Sequence, residues 1–93
     1  MRFAIVLASE AVEDLRKLKP QLRAAVPEAL ETHLRHEPTK SSRSRIKRLR
    51  GSSRPQFRLR VDEVRVFYDV SGSTVEILAI VSKSEAELWL RRF

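Results

Sequence analysis

The stretch Phe57-Arg58-Leu59-Arg60-Val61-Asp62-Glu63-Val64-Arg65-Val66-Phe67-Tyr68-Asp69-Val70 reads as two β-strands and the turn between them. Phe57, Leu59 and Val61 alternate with Arg58 and Arg60, the period of two expected of a strand with one buried face. Asp62-Glu63 is a polar turn. If those two residues are the whole turn, Val61 lies opposite Val64, Arg60 opposite Arg65, Leu59 opposite Val66 and Arg58 opposite Phe67. Opposed residues share a face of the sheet. One face then shows Phe57, Leu59, Val61, Val64, Val66 and Tyr68, and Tyr68 is assigned to the core. The other shows Arg58, Arg60, Arg65 and Phe67. Like charges across a ladder destabilise it, so a hairpin built only to fold would carry Thr or Val there. Either Asp62, Glu63, Asp69 or helix carboxylates neutralise these arginines, or the face is an anion site. Arginine suits an anion site because its planar, permanently charged guanidinium grips phosphate oxygens in pairs.

Working outward, Ser71-Gly72-Ser73 is a turn, and Val75 to Val81 is nearly continuous apolar sequence, as in a strand covered on both faces. Ser84 is placed as the N-cap of a short last helix, with Glu85 and Glu87 in its first turn and Arg91 and Arg92 in its last, matching the helix dipole. Upstream, Arg2 to Leu7 is a first strand. Ser9 is read as the N-cap of a helix with Ala11, Leu15 and Leu18 on one side, stopping near Lys19 because Pro20 disfavours helical geometry before it. Pro20 opens a second helix, in which Leu22, Val26, Leu30 and Leu34 form a stripe. Pro27 predicts a kink or a break there. Residues 39–53 read as a loop or short strand. The order β-α-α-β-β-β-α predicts an α+β fold: an N-terminal strand, an αα-hairpin, a three-stranded antiparallel meander and a C-terminal helix, all within one domain spanning 1–93.

Charge is concentrated as strongly as pattern. The chain of 93 residues carries a formal net charge of +7. Lys40 to Arg65 holds ten basic residues against two acidic ones, whereas the remainder is nearly balanced. Such a patch calls for a polyanion, the alternative being a solvated charge run. With no cysteine, disulfides, thiolate zinc sites and cysteine nucleophiles are excluded. A core this small argues against a deep, enclosed pocket, so chemistry belongs on an open face. The N-terminal apolar run is too short for a signal sequence or membrane span, and a cytoplasmic protein is expected. His33 and His36, three apart on the second helix, lack a carboxylate cluster and are read as incidental, with no metal site. Trp89 belongs to the core or a protein contact, or stacks on a base.

Ile46-Lys47-Arg48-Leu49-Arg50-Gly51, Phe57-Arg58-Leu59-Arg60-Val61 and Val64-Arg65-Val66-Phe67-Tyr68-Asp69-Val70 together resemble the RelE/ParE toxin superfamily of prokaryotic type II toxin–antitoxin systems. Its pattern is a basic segment ending in LRG, a YRLR-like strand, an RVFY-like strand and a terminal ILAI strand followed by lysine. The likeness covers nearly the whole chain and extends to the element order. For the favoured RelE-like branch it implies a ribosome-dependent, metal-free mRNA endoribonuclease in which the ribose 2′-OH attacks the adjacent phosphorus. Carried across, Arg58 and Arg65 would stabilise the phosphate and transition state, and Lys83 would take the basic position after the last strand. Arg45, Lys47, Arg48, Arg50, Arg54, Arg60 and Trp89 would line the RNA, with Trp89 in place of a C-terminal tyrosine. The resemblance implies mRNA, the ribosome and a cognate antitoxin as partners, and no cofactor. A ParE-like, non-nucleolytic inhibitor of DNA gyrase is the second reading, and an inactive RNA-binding module the third.

Overall fold

The computed structural model describes residues 1–51 and 53–93. Its elements are β1 (Ala4–Leu7), α1 (Ser9–Arg16), α2 (Pro20–Leu34), β2 (Ile46–Arg48), β3 (Phe57–Val61), β4 (Val64–Ser71), β5 (Thr74–Ser82), a 3₁₀ turn (Lys83–Glu85) and α3 (Ala86–Arg92). They build an α+β fold around one five-stranded sheet of order β1-β5-β4-β3-β2. The expected three-stranded meander gains a fourth antiparallel strand, because Ile46, Lys47 and Arg48 pair with Leu59, Arg58 and Phe57. β1 joins the far edge parallel to β5.

The register of the hairpin is the one its sequence dictates: Val61 faces Val64, Arg60 faces Arg65, Leu59 faces Val66 and Arg58 faces Phe67. Asp62 takes a left-handed conformation, φ 51°, which Asp tolerates better than most residues. The apolar set Phe57, Leu59, Val61, Val64, Val66 and Tyr68 forms the inner face. It packs against Ala11 of α1 and Val26, Leu30 and Leu34 of α2. Tyr68 is in this core as expected, stacked on Phe57 at 5.4 Å between centroids, with its hydroxyl donating to the Pro38 carbonyl oxygen at 2.6 Å. The outer face is partly covered by α3, where Trp89 packs with Phe67, Leu78 and Ala79.

Two capping expectations are corrected, and of the kink or break expected at Pro27 the break is absent. Ser9 is the first residue of α1 rather than its cap: Ala8 takes that place because its N–H is held by the Ile77 carbonyl of β5 at 2.9 Å, which keeps it extended. Ser84 likewise lies inside the 3₁₀ turn instead of capping α3. The extended residue before that turn is Ser82, whose Oγ bonds Ser84 and Glu85 side chains rather than a helix N–H. α2 runs without a break through Pro27. Both Pro27 and Arg23, whose carbonyl loses its usual partner to the missing N–H, lie on the exposed side of α2, where water can serve the carbonyl.

A register irregularity between Phe67 and Tyr68 opposes them to Ala79 and Ile77, so that Leu78 is the extra residue of a bulge in β5. β1 ends opposite Ile77, and from there α1 covers the β5 edge. The Asp14 carboxylate accepts the Ile80 N–H at 2.9 Å, replacing the missing strand partner.

Candidate functional site

Arg58, Arg60 and Arg65 stand together on the outer face, in two adjacent rows of the β3–β4 ladder, and Lys47 of β2 joins Arg58's row. Among the described residues, no carboxylate comes within salt-bridge distance of any of the four, although Asp62 and Glu63 are their neighbours in sequence. Arg58 Nε is buried without any hydrogen-bond partner. A buried, unpartnered cationic donor costs free energy in the free protein, and an anion bound beside it would remove that cost.

Arg65 is the most enclosed of the group at 7% exposure. Its Nη1 donates to the Asp62 and Val64 carbonyl oxygens, each at 3.0 Å. Burial first, and then the charges of Arg58 and Arg60, push its pKa down from the ordinary arginine value. Lys83 is exposed at the turn end of the hairpin, and its backbone N–H donates to the Glu63 carbonyl at 2.7 Å. The strand pairing Val64↔Ser82 and Arg65↔Val81 brings it beside the same turn.

The remaining basic residues divide. Arg45 lies at the margin, where its carbonyl accepts the Arg60 N–H at 2.9 Å and its side chain shares a shallow depression with Arg60 and Asp62. Arg50 is exposed in the turn beside Gly51. Arg48 pairs with Phe57 and so belongs to the opposite face; its guanidinium stacks over the Phe57 ring at 5.3 Å. Arg54 is removed from the RNA-lining set, since it bonds Asp69 at 2.9 Å and Glu76 at 3.2 Å. Trp89 is removed too. It is 6% exposed, stacked on Phe67 at 4.8 Å and flanked by Phe93 at 4.9 Å, and its Nε1 donates to Glu10 at 2.7 Å. No face of that ring is left for a base.

Sequence reasoning passed over Gln56 and Asp14, and weighed Asp69 only as a neutraliser of Arg58, Arg60 and Arg65, whereas it meets Arg54 and Gln56. Gln56 and Asp69 exchange contacts: the Gln56 N–H donates to Asp69 at 2.7 Å, and the Gln56 side chain accepts the Val70 N–H at 2.8 Å. With Arg54 they fasten the segment carrying Arg50 onto the sheet. Their polar character was visible, but not which partner each would meet. His33 has its pKa lowered by burial and then by the charge of Arg45. Among the described residues, no group of three His, Asp or Glu side chains is placed to hold a metal ion. No helix among them is long and apolar enough to cross a membrane.

Solved structures share this architecture. The RelBE2 toxin–antitoxin complex of Mycobacterium tuberculosis contains a chain 28% identical, with a TM-score of 0.75 over 88% of this chain and 99% of that one. The archaeal RelE–RelB complex of Pyrococcus horikoshii matches at 21% identity and TM-score 0.73, over 89% and 97% of the two chains. A double arginine-to-alanine mutant of Escherichia coli RelE in the free state matches at 20% identity and TM-score 0.53, over 100% and 99%. No curated protein matches by sequence. The fold is thus that of the RelE/ParE toxins. The family model for the ParE toxin of the type II toxin–antitoxin system, parDE, matches residues 5–87, and the chain belongs to that family.

Proposed function

We propose that this toxin is a ribosome-dependent mRNA endoribonuclease that grips RNA phosphates on the outer face of the β3–β4 hairpin. The observation that carries the reading is the gathering of Arg58, Arg60 and Arg65 on one rigid face with no carboxylate partner among the described residues, Arg58 Nε being buried and unpaired. Attack of a ribose 2′-OH on the neighbouring phosphorus loads extra negative charge onto the phosphoryl oxygens before the 5′-oxygen leaves. Preorganised guanidinium donors are strongest where charge develops in a partly desolvated site. Arg58 and Arg65 are assigned to that charge, Arg60 and Lys47 to the flanking phosphates, and Lys83 to proton transfer at the rim. Arg45 and Arg50 extend the phosphate track; Arg48, on the other face, lies outside it.

The solved relatives include complexes with antitoxins, which supports a cognate antitoxin as the partner of this chain, closing the same basic face. The test is translation-dependent cleavage. Purified protein with programmed ribosomes is expected to cut mRNA in the A site, and intact mRNA under those conditions would overturn the nuclease reading. The second reading, gyrase inhibition, is favoured by the ParE family match. Inhibited supercoiling without RNA cleavage would decide for it.

A further inference from the structure

The two-residue turn between β3 and β4 touches two of the proposed catalytic cations through its backbone. Its first residue sends the Asp62 carbonyl to Arg65 Nη1 at 3.0 Å, and the Val64 carbonyl meets the same nitrogen at 3.0 Å. Its second sends the Glu63 carbonyl to the Lys83 N–H at 2.7 Å. Nothing else among the described residues bonds the Arg65 guanidinium, so its Nε–H and both Nη2 protons remain for a ligand. Left to itself, Arg65 would swing away from Arg60, which faces it, and from Arg58 in the next row. The Asp62 carbonyl reaches Nη1 with Asp62 at φ 51°, a conformation that β-branched residues resist.

We infer that the Asp62-Glu63 turn is a positioning element: its left-handed backbone, and not the Asp62 carboxylate, aims the Arg65 guanidinium and seats Lys83 beside it. The inference deepens the proposed nuclease site and rests on that reading for its catalytic consequence, while its geometric content stands apart. A misplacement near 1 Å in such a site costs on the order of 10²-fold in rate. Glycine keeps the left-handed conformation and deletes the carboxylate; valine opposes the conformation.

Asp62→Gly, Asp62→Val and a variant with glycine inserted between Asp62 and Glu63 separate the possibilities, using the full chain on programmed ribosomes. Asp62→Gly is expected to keep kcat within about twofold of the parent. Asp62→Val and the insertion are expected to lower kcat by about 10²-fold with little change in KM. In parallel, ¹⁵N NMR of the arginine side chains should show rotation about the Arg65 Cζ–Nη1 bond slowed in the parent and in Asp62→Gly, and freed in the insertion variant, which keeps a folded spectrum even if Asp62→Val does not. Equal losses in Asp62→Gly and the insertion, or an Arg65 signal alike in all variants, would overturn the inference. If the NMR pattern appears while the parent fails to cut, the positioning element stands and the nuclease reading falls.

Discussion

At the scale of single residues, the arginines of β3 and β4 show a trade between stability and binding. Arg58 spends a buried donor on nothing inside the protein. Arg58→Ala is therefore expected to leave the melting temperature unchanged or raise it, while lowering cleavage by about 10²–10³, the cost of losing one well-aimed donor. Paired thermal melts and ribosome assays check this, and a parallel loss of both would show Arg58 to be structural. Asp14 makes the opposite case. Burial raises its pKa; the Ile80 N–H pulls the other way, and Glu10 and Glu85 add to the rise. A carboxyl raised on folding stabilises the native state below its unfolded pKa of about 3.9, and that contribution is lost as pH climbs through the elevated value. Asp14→Asn retains an oxygen for Ile80 without the charge. Its melting temperature should therefore gain on the parent as pH rises through that window, then hold a constant difference. A difference independent of pH would refute the assignment.

At the scale of elements, α2 holds together despite its sequence. Pro27 removes one backbone hydrogen bond, yet Val26, Leu30 and Leu34 are buried against the inner face of the sheet, and their packing fixes the helix across the gap. Pro27→Ala restores the bond while loosening the unfolded chain, and a net gain of about 1–2 kcal/mol is expected from urea unfolding. The ends of α2 and β1 are tied in a way that no periodicity encodes. The Phe3 N–H donates to the Arg35 carbonyl, and the Arg35 side chain returns to the Phe3 carbonyl, both at 2.8 Å, while also gripping Glu31. The hairpin, by contrast, was legible to the residue pair. Alternation on both sides of Asp62-Glu63 favoured the register that gathers Phe57, Leu59, Val61, Val64, Val66 and Tyr68 on one face, leaving Phe67 on the other, and a slip by one would have put the arginines into the core. β2 was less legible, since three residues carry too little pattern to separate a strand from a loop.

At the scale of the whole molecule, the concentration of cations between Lys40 and Arg65 sets how the protein meets a polyanion. Each phosphate neutralised on a single strand contributes about 0.7 to the slope of log affinity against log salt. Arg60→Ala should lower that slope by about 0.7 for a short oligoribonucleotide, and Arg54→Ala should leave it nearly unchanged, because Arg54 is held by Asp69 and Glu76. Fluorescence anisotropy over a salt series measures both. Equal effects from the two would mean that bulk charge alone governs binding.

Much of this protein followed from local rules acting on the chain alone: the α+β class, the register of the β3–β4 hairpin, the apolar stripe of α2 and the arginines sharing one face. Period and turn length settle these, and both are properties of neighbours in sequence. Which cations stay available was decided only by the assembled fold. Arg48 fell to the other face once β2 paired, Arg54 met carboxylates from two distant strands, and Trp89 was enclosed between Phe67 and Phe93. A side chain's partners are set by three-dimensional distance, and contacts between residues far apart in sequence leave no periodic trace along it.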